Sequence, residues 1–512
     1  MSWFQPSPLL LPSMLALNAR HLANKPAVLF EDVSLDWSAF VDQCARLSAA
    51  LTRSGLAPGD RVGIVMDNAV ETVIAHFGCV YGGFVSVPIN VAVSDDAIAT
   101  MLDDSDAHAV ITNGAHTARI EPARDRLNLS AAVSVASYPG WETFKDWLAS
   151  SCAASAPATV SPTDECNIIY SSGTTGLPKG IVHDHRCRAA WAYDMAVALH
   201  YHPDAVTLCS LGLYSNISWV AMLATILAGG TLVITAKFEA ASCLALIDRL
   251  SITHATMVPV QLQRLLADPG FDRSQIGSLQ SLMCCGSPLA PVLKQKVIDN
   301  FGHAFIELYG LTEGLVTVLQ PSDMQSKLES VGQPCPGQEI VILDQNDKLC
   351  ETDVAGEIVG RGPLQMAGYH NRSGANLEAT WTDASGHRWL RTGDIGRIDS
   401  DGFLYLVDRK KDMIISGGQN IYPADIEAIL SAHPDVHEVA VIGVQSEKWG
   451  ETPLAVVVSD DENESSIVSW VNERVGKQQR IAGAQFVSEL PRNPNGKVLK
   501  RMLRERYSKL IF

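Results

Sequence analysis

Apolar and polar positions change rhythm twice along this chain. Up to residue 310, short β-branched apolar runs alternate with amphipathic stretches, at 62–65, 72–81 and 85–88, and again at 231–234, 243–250 and 255–258. Strand-length runs alternating with helix-length ones predict parallel sheets covered by helices. Beyond residue 330, short strands at 339–344, 356–360 and 403–407 are separated by glycines and acidic turns, with Asp401-Gly402 as a hairpin-type turn. This stretch predicts a β-rich, barrel-like subdomain. The charged segment 408–412 closes it, and a compact α+β pattern with an acidic loop at 460–464 follows. The predicted class is therefore a multi-domain α/β protein. A large N-terminal domain, residues 1–408, holds two parallel-type βαβ sheets and the β-rich subdomain, and a small α+β domain spans 409–512. Residues 153–163 read as a small-residue, proline-bearing connector, and no internal repeat or low-complexity segment interrupts the pattern.

At 512 residues, 47% of them apolar, the chain is ample for a large core and too long for one compact domain. Its eleven cysteines are odd in number and scattered from Cys44 to Cys350 without a CxxC pair, so a reducing cytoplasm is expected. Prolines at Pro6, Pro8 and Pro12, and a first basic residue only at Arg20, are unlike a secretory signal. No apolar run approaches the roughly 20 residues of a membrane span. The net charge of −17 argues against nonspecific nucleic-acid binding. That charge is uneven: from Arg474 onward ten Lys or Arg face only Glu489 and Glu505, a local excess of eight that suggests a tail meeting an anionic ligand.

The segment most charged with chemistry is Ser171-Ser172-Gly173-Thr174-Thr175-Gly176-Leu177-Pro178-Lys179-Gly180, which follows the apolar run 168–170. Its glycines leave room for backbone N–H groups to approach an anion, its hydroxyls can donate to phosphate oxygens, and Lys179 adds a point charge. A Walker loop would need Gly-Lys followed by Ser or Thr, whereas Lys179 stands between Pro178 and Gly180. A dinucleotide fingerprint fails as well, since no G-x-G-x-x-G stands between strand and helix.

Ser171–Gly180 resembles the signature loop of the adenylate-forming superfamily, which includes acyl- and aryl-CoA synthetases, peptide-synthetase adenylation domains and beetle luciferases. The resemblance extends, in order, over nearly the whole chain. Phe305-Ile306-Glu307-Leu308-Tyr309-Gly310-Leu311-Thr312-Glu313-Gly314 is similar to the family's second core motif, and Gly286-Ser287-Pro288 to the turn that shapes the acyl pocket and the nucleotide wall. On that resemblance Tyr309 stacks near adenine with Glu307 and Leu308 beside the purine, Thr312 donates to the α-phosphate, and Glu313 holds Mg²⁺. Arg391-Thr392-Gly393-Asp394 resembles the ribose motif, with Arg409 as a further ribose or phosphate contact. Lys497, in Pro491-Arg492-Asn493-Pro494-Asn495-Gly496-Lys497, resembles the C-terminal catalytic lysine, whose charge lowers the barrier to adenylation. The resemblance also implies that the C-terminal domain is a mobile lid turning at a hinge near Lys411, and that Gly417-Gly418 lies against the pantetheine arm of coenzyme A.

The activity so implied is that of an ATP-dependent acyl-CoA ligase, in which acid and ATP give acyl-AMP and pyrophosphate and coenzyme A then gives acyl-CoA and AMP. The alternative is loading of a carrier-protein phosphopantetheine; a nucleotide-binding scaffold without catalysis and a luciferase-like oxygenase complete the set. Many relatives carry an aromatic–histidine pair where this chain has Tyr214-Ser215-Asn216, so Ser215 leaves the thiol gate in doubt, with Tyr214 or Asn216 as substitutes. Tyr214, Ser215 and Gly310 are expected at the acyl group, and Gly314 is read as deepening its pocket. His183-Asp184-His185 is not read as a metal site, and Met257, Trp219, Cys284 and Cys285 are read as core. An aromatic and a medium-length aliphatic acid fit equally. Oligomeric state, a homodimer included, stays open.

Overall fold

The structure, a computed structural model, describes residues 9–153, 156–171, 178–289, 291–409, 412–416, 419–446, 448–477, 479–492 and 496–512, with backbone alone at Ser171, Arg409, Gln419 and Asn420. The chain divides into two compact units. One comprises Met1–Leu328, Pro334–Glu339 and Arg361–Thr380; the other comprises Glu329–Gln333, Ile340–Gly360 and Trp381–Phe512.

In the first unit the alternating runs become strand Arg61–Val65, helix Val70–Tyr81 and strand Val85–Pro88, and further on strand Thr231–Ile234, helix Ala240–Arg249 and strand His254–Met257. They belong to two mainly parallel sheets. In one, Arg61–Val65 lies between Val85–Pro88 and Ala107–Thr112, and the sheet continues through Glu165–Ser171 to the antiparallel strands Lys179–Asp184 and Gly368–Tyr369. The other runs in parallel from Phe305–Gly310 through Ser281–Cys284, His254–Met257, Val206–Cys209 and Thr231–Ile234 to Pro26–Phe30. Every residue of helix Val70–Tyr81 except Glu71 is buried, and helix Asn216–Ala228 is buried over most of its length. A helix apolar all round is enclosed between layers. Accordingly one core cluster draws Val62 and Ile64 from the first sheet and Met283 and Ile306 from the second.

The second unit contains an antiparallel sheet built on Gly356–Arg361, Arg388–Ile398 and Leu404–Arg409. It is open, with no closed barrel among the described residues, which corrects the barrel-like expectation. Closure requires the outermost strands to pair, and here they include the three-residue Thr380–Thr382, too short for a closing ladder. The C-terminal residues form a second sheet around the hairpin Val436–Ser446 and Gly450–Ser459. Period-two alternation divides its faces. Val441, Ala455 and Val457 pack on helices Pro423–Leu430 and Glu464–Asn472, whereas Ala440, Ile442 and Val456 pack on helix Lys500–Tyr507.

Candidate active site

The phosphate loop joins two antiparallel strands, with Ser171 opposite Lys179 and Tyr170 opposite Gly180. It is a hairpin loop, which separates it physically from strand–loop–helix phosphate sites. Ser172, Gly173, Thr174, Thr175 and Gly176 lie outside the described residues. Lys179, at the hairpin's return, places its Nζ 4.9 Å from the centre of the Tyr369 ring. The Tyr369 hydroxyl donates to Glu313 Oε1 at 3.0 Å. One aromatic residue thus brings together the lysine of the loop and the carboxylate of the second motif. The sequence reading had not singled out Tyr369.

Thr312 and Glu313 sit at the tip of a hairpin between Phe305–Gly310 and Val316–Leu319, closed by Gly314 N–H to Leu311 O at 3.0 Å. A tight strand-to-strand turn, not a helix cap, carries the pair. Gly314 has φ +108°, and a Cβ there would run into the Leu364 carbonyl oxygen and lie 2.5 Å from Gln365 Cα. Glycine is present because backbone passes close by, which replaces the pocket-deepening reading. Behind the turn, His183 Nε2 lies 2.8 Å from Thr312 O and His183 Nδ1 lies 3.1 Å from Arg188 Nη2. Since guanidinium can only donate, Nδ1 accepts, and the proton sits on Nε2 and is given to the Thr312 carbonyl. Burial and the neighbouring Arg188 hold His183 well below its usual range, so it is neutral there. Both ring nitrogens of His183 are engaged, so it holds the Thr312 carbonyl from behind the turn.

Glu307 is buried, and its carboxylate lies 2.5 Å from the Lys294 ammonium. Leu308 is buried, Tyr309 half-buried, and Gly310 exposed at the strand end. The Gly286 turn lies against the first turn of helix Asn216–Ala228: a Cβ on Gly286 would come within 2.9 Å of Ile217 Cδ1. Ser287 is half-exposed and Pro288 extends the same turn. Ser215 caps that helix, its hydroxyl accepting from Ile217 N–H at 3.2 Å. Capping needs a short hydroxyl, a physical reason for serine here. Asn216 Oδ1 is taken by Arg188 at 2.9 Å. Tyr214 is half-buried, with its hydroxyl pushed up by burial.

In the second unit Asp394 is buried in strand Arg388–Ile398, directly opposite Arg409 in the antiparallel register. Its N–H donates to Thr392 Oγ1 at 3.0 Å, and the Thr392 hydroxyl donates to Ile358 O at 2.7 Å. Arg391 is committed to Glu357 at 2.5 Å and to Asp347. Lys497 stands on a loop clamped at its base by Leu499 N–H to Pro491 O at 2.7 Å and by Arg492, which donates to Gly496 O at 2.6 Å and Glu438 Oε2 at 2.9 Å. Of the basic C-terminal residues, Arg474, Arg492, Lys500, Arg501 and Arg504 pair with carboxylates. The tail's positive field is therefore smaller than its composition. Lys411, Gly417 and Gly418 lie outside the described residues.

Residues 15–370 match the model of the AMP-binding enzyme family, and residues 425–497 match its C-terminal domain. Along 484 residues the chain is 33% identical to the long-chain-fatty-acid–CoA ligase FadD13 of Mycobacterium tuberculosis, covering 94% of each. It is 30% identical over 506 residues to the fatty acid–[acyl-carrier-protein] ligase ScoC of Streptomyces coeruleorubidus, covering 96% of this chain and 95% of that one. The crystal structure of ATP-bound MatB from Rhodopseudomonas palustris matches with a TM-score of 0.89 at 27% identity, over 97% of this chain and 99% of that one. The chain belongs to the AMP-binding enzymes, the adenylate-forming superfamily. It is an acid–thiol ligase of the AMP-forming type. None of its described helices is long and apolar enough to cross a membrane.

Proposed function

We propose that this protein activates a carboxylic acid with ATP and Mg²⁺ and passes the acyl group to coenzyme A. The observation that carries the reading is the meeting of Lys179 and Glu313 on Tyr369, with Thr312 held from behind by His183. That arrangement brings a cation and a carboxylate to one aromatic ring, with the hydroxyl-bearing Thr312 next to the carboxylate in sequence, and such a set suits a magnesium-bound polyphosphate. Glu313 would hold Mg²⁺, an oxygen-seeking ion that neutralises phosphate charge. Lys179 and the hydroxyls of the 171–176 loop bind the phosphates, Thr312 donates to the α-phosphate, and Asp394 accepts from the ribose hydroxyls with Arg409 beside it. In the first step an oxygen of the acid attacks the α-phosphorus and pyrophosphate leaves. Lys497 offsets the charge building on the phosphoryl oxygens and steadies the acid against repulsion. In the second, the thiol sulfur attacks the acyl carbonyl, AMP leaves and the thiol proton goes to solvent. Residues 409–512 act as a lid that turns at Lys411 between the steps, with Gly417-Gly418 along the pantetheine arm.

Two measurements test this. Lys497→Ala should abolish pyrophosphate–ATP exchange while thioester formation from synthetic acyl-AMP largely persists; equal loss of both half-reactions contradicts the division of labour. The resemblance to ScoC gives the carrier-protein reading its footing. Coenzyme-A-dependent AMP release supports coenzyme A as acceptor, whereas turnover only with a holo-carrier protein selects the other.

A further inference from the structure

Arg188, fully buried in helix His185–Ala198, pairs with no carboxylate among the described residues. Its three bonds go to neutral acceptors: Asn167 Oδ1 at 2.8 Å, Asn216 Oδ1 at 2.9 Å and His183 Nδ1 at 3.1 Å. A guanidinium has five N–H groups, so two remain. Cys166 and Cys187 are near, but burial pushes both thiols up to about 12, which keeps them neutral. Burial also lowers Arg188, though only to about 10, so the buried charge persists at neutral pH.

Further unpartnered polar atoms surround it. Asn167 Nδ2 and Trp219 Nε1 are buried without a partner among the described residues, and so is His76 Nε2. The Trp219 ring centre is 5.2 Å from Arg188 Cζ and 5.3 Å from the His76 ring. Three neutral acceptors and the ring faces of Trp191 and Trp219, at 6.0 and 5.2 Å from Arg188 Cζ, offset only part of the cost of burying this cation without a carboxylate, and apolar packing would serve a purely structural purpose as well or better. The place of the cluster gives it a use. Through Asn216 it touches the first turn of the helix that Ser215 caps and that borders the Gly286 turn, and through His183 it reaches Thr312.

We propose that Arg188 determines substrate class by receiving a second carboxylate, so that the acid activated here is a dicarboxylic acid. One carboxylate is adenylated; the other pairs with Arg188, with the Asn167 and Trp219 N–H groups as further donors. A monocarboxylic acid of equal length puts a methyl end against the two N–H groups that the guanidinium has left, and a site built for polar partners rejects analogues that lack them. This inference rests on the acid-activating reading above.

The test is pyrophosphate–ATP exchange with a ladder of linear and aromatic dicarboxylic acids beside the monocarboxylic acids of equal size. In the wild-type protein the best diacid should exceed its monoacid counterpart in kcat/KM by about 10- to 100-fold, as for a charge-assisted hydrogen bond in a dry site. In Arg188→Met that ratio should fall towards one, and Arg188→Lys should keep part of it. Trp219→Phe, which removes one donor and keeps the ring, should lower the ratio severalfold and decides the matter if Arg188→Met does not fold. Monoacids used as well as diacids by the wild-type protein overturn the proposal, as does Arg188→Met lowering both acids in step. Exchange with no acid of either ladder overturns acid activation itself, and is thereby told apart from failure of the dicarboxylate assignment alone.

Discussion

The Glu307–Lys294 pair is a single contact with a testable pH signature. Burial pushes the Glu307 carboxyl up, and Lys294 at 2.5 Å pulls it partly back. With a folded-state pKa above the unfolded value, the native state holds the proton more tightly, so this group's contribution to stability falls as pH rises through the folded pKa. Removing one partner of a buried pair costs about 3–5 kcal/mol because the other charge is stranded. Lys294→Met should therefore lower stability by about that much near neutral pH, and the deficit should shrink in mildly acidic buffer, where Glu307 takes up a proton. Urea unfolding at the two pH values checks it; a deficit that does not change with pH would show that Glu307 is not the stranded charge. The same residue scale explains what could be read in advance. Lys179, Thr312 and Glu313 advertise their chemistry in compact motifs. Arg188 does not, because a charged residue in an amphipathic stretch reads as surface, and it is buried only because it shares the inward face of its helix with Trp191 and Met195, while Tyr193 and Val197 of the same helix are exposed.

At the scale of elements, strands and enclosed helices of the first unit follow the apolar runs closely, since β-branched residues and uniform burial leave a periodic mark. The two-residue strand Gly368–Tyr369 leaves none. It is defined by pairing with Lys179–Asp184, far away in sequence, which is why the ring linking Lys179 to Glu313 was not legible. The Thr312–Glu313 hairpin shows how an element can depend on one backbone position. The Leu364 carbonyl facing Gly314 is already fixed by Trp191 Nε1 at 3.0 Å and Cys187 Sγ at 3.2 Å, so it has little room to move aside. Gly314→Ala combines a positive φ with a backbone collision and should cost on the order of 3 kcal/mol. Its melting temperature should drop, and pyrophosphate exchange should fall further than stability alone explains, because the displaced turn carries Thr312 and Glu313. A variant as stable and as active as wild type would show that the turn tolerates a side chain and that the glycine serves some other end.

At the scale of the whole molecule, two half-reactions with different needs at one acyl carbonyl call for a rearrangement, and the second unit holds a contact that the proposed turn at Lys411 would act on. Asp408, three residues before the proposed hinge at Lys411, accepts from Ala424 N–H at 3.0 Å, at the start of helix Pro423–Leu430. After Lys411, Asp412 pairs with Arg504 of helix Lys500–Tyr507, the element that follows Lys497. If residues 409–512 turn at Lys411, the Asp408 cap is made in one arrangement and broken in the other, whereas the Asp412 pair travels with the lid. Proline at 411 fixes φ near −65°, which a hinge passing between two backbone conformations cannot satisfy in both. Lys411→Pro should therefore separate the half-reactions, one falling by at least about tenfold relative to the other, and Asp408→Ala should shift the same ratio by less. Pyrophosphate exchange gives the first rate and thioester formation from synthetic acyl-AMP the second. A proportional loss of both in Lys411→Pro would mean that residue 411 is a structural joint, and that the exchange of groups around the acyl carbonyl is accomplished elsewhere in the chain.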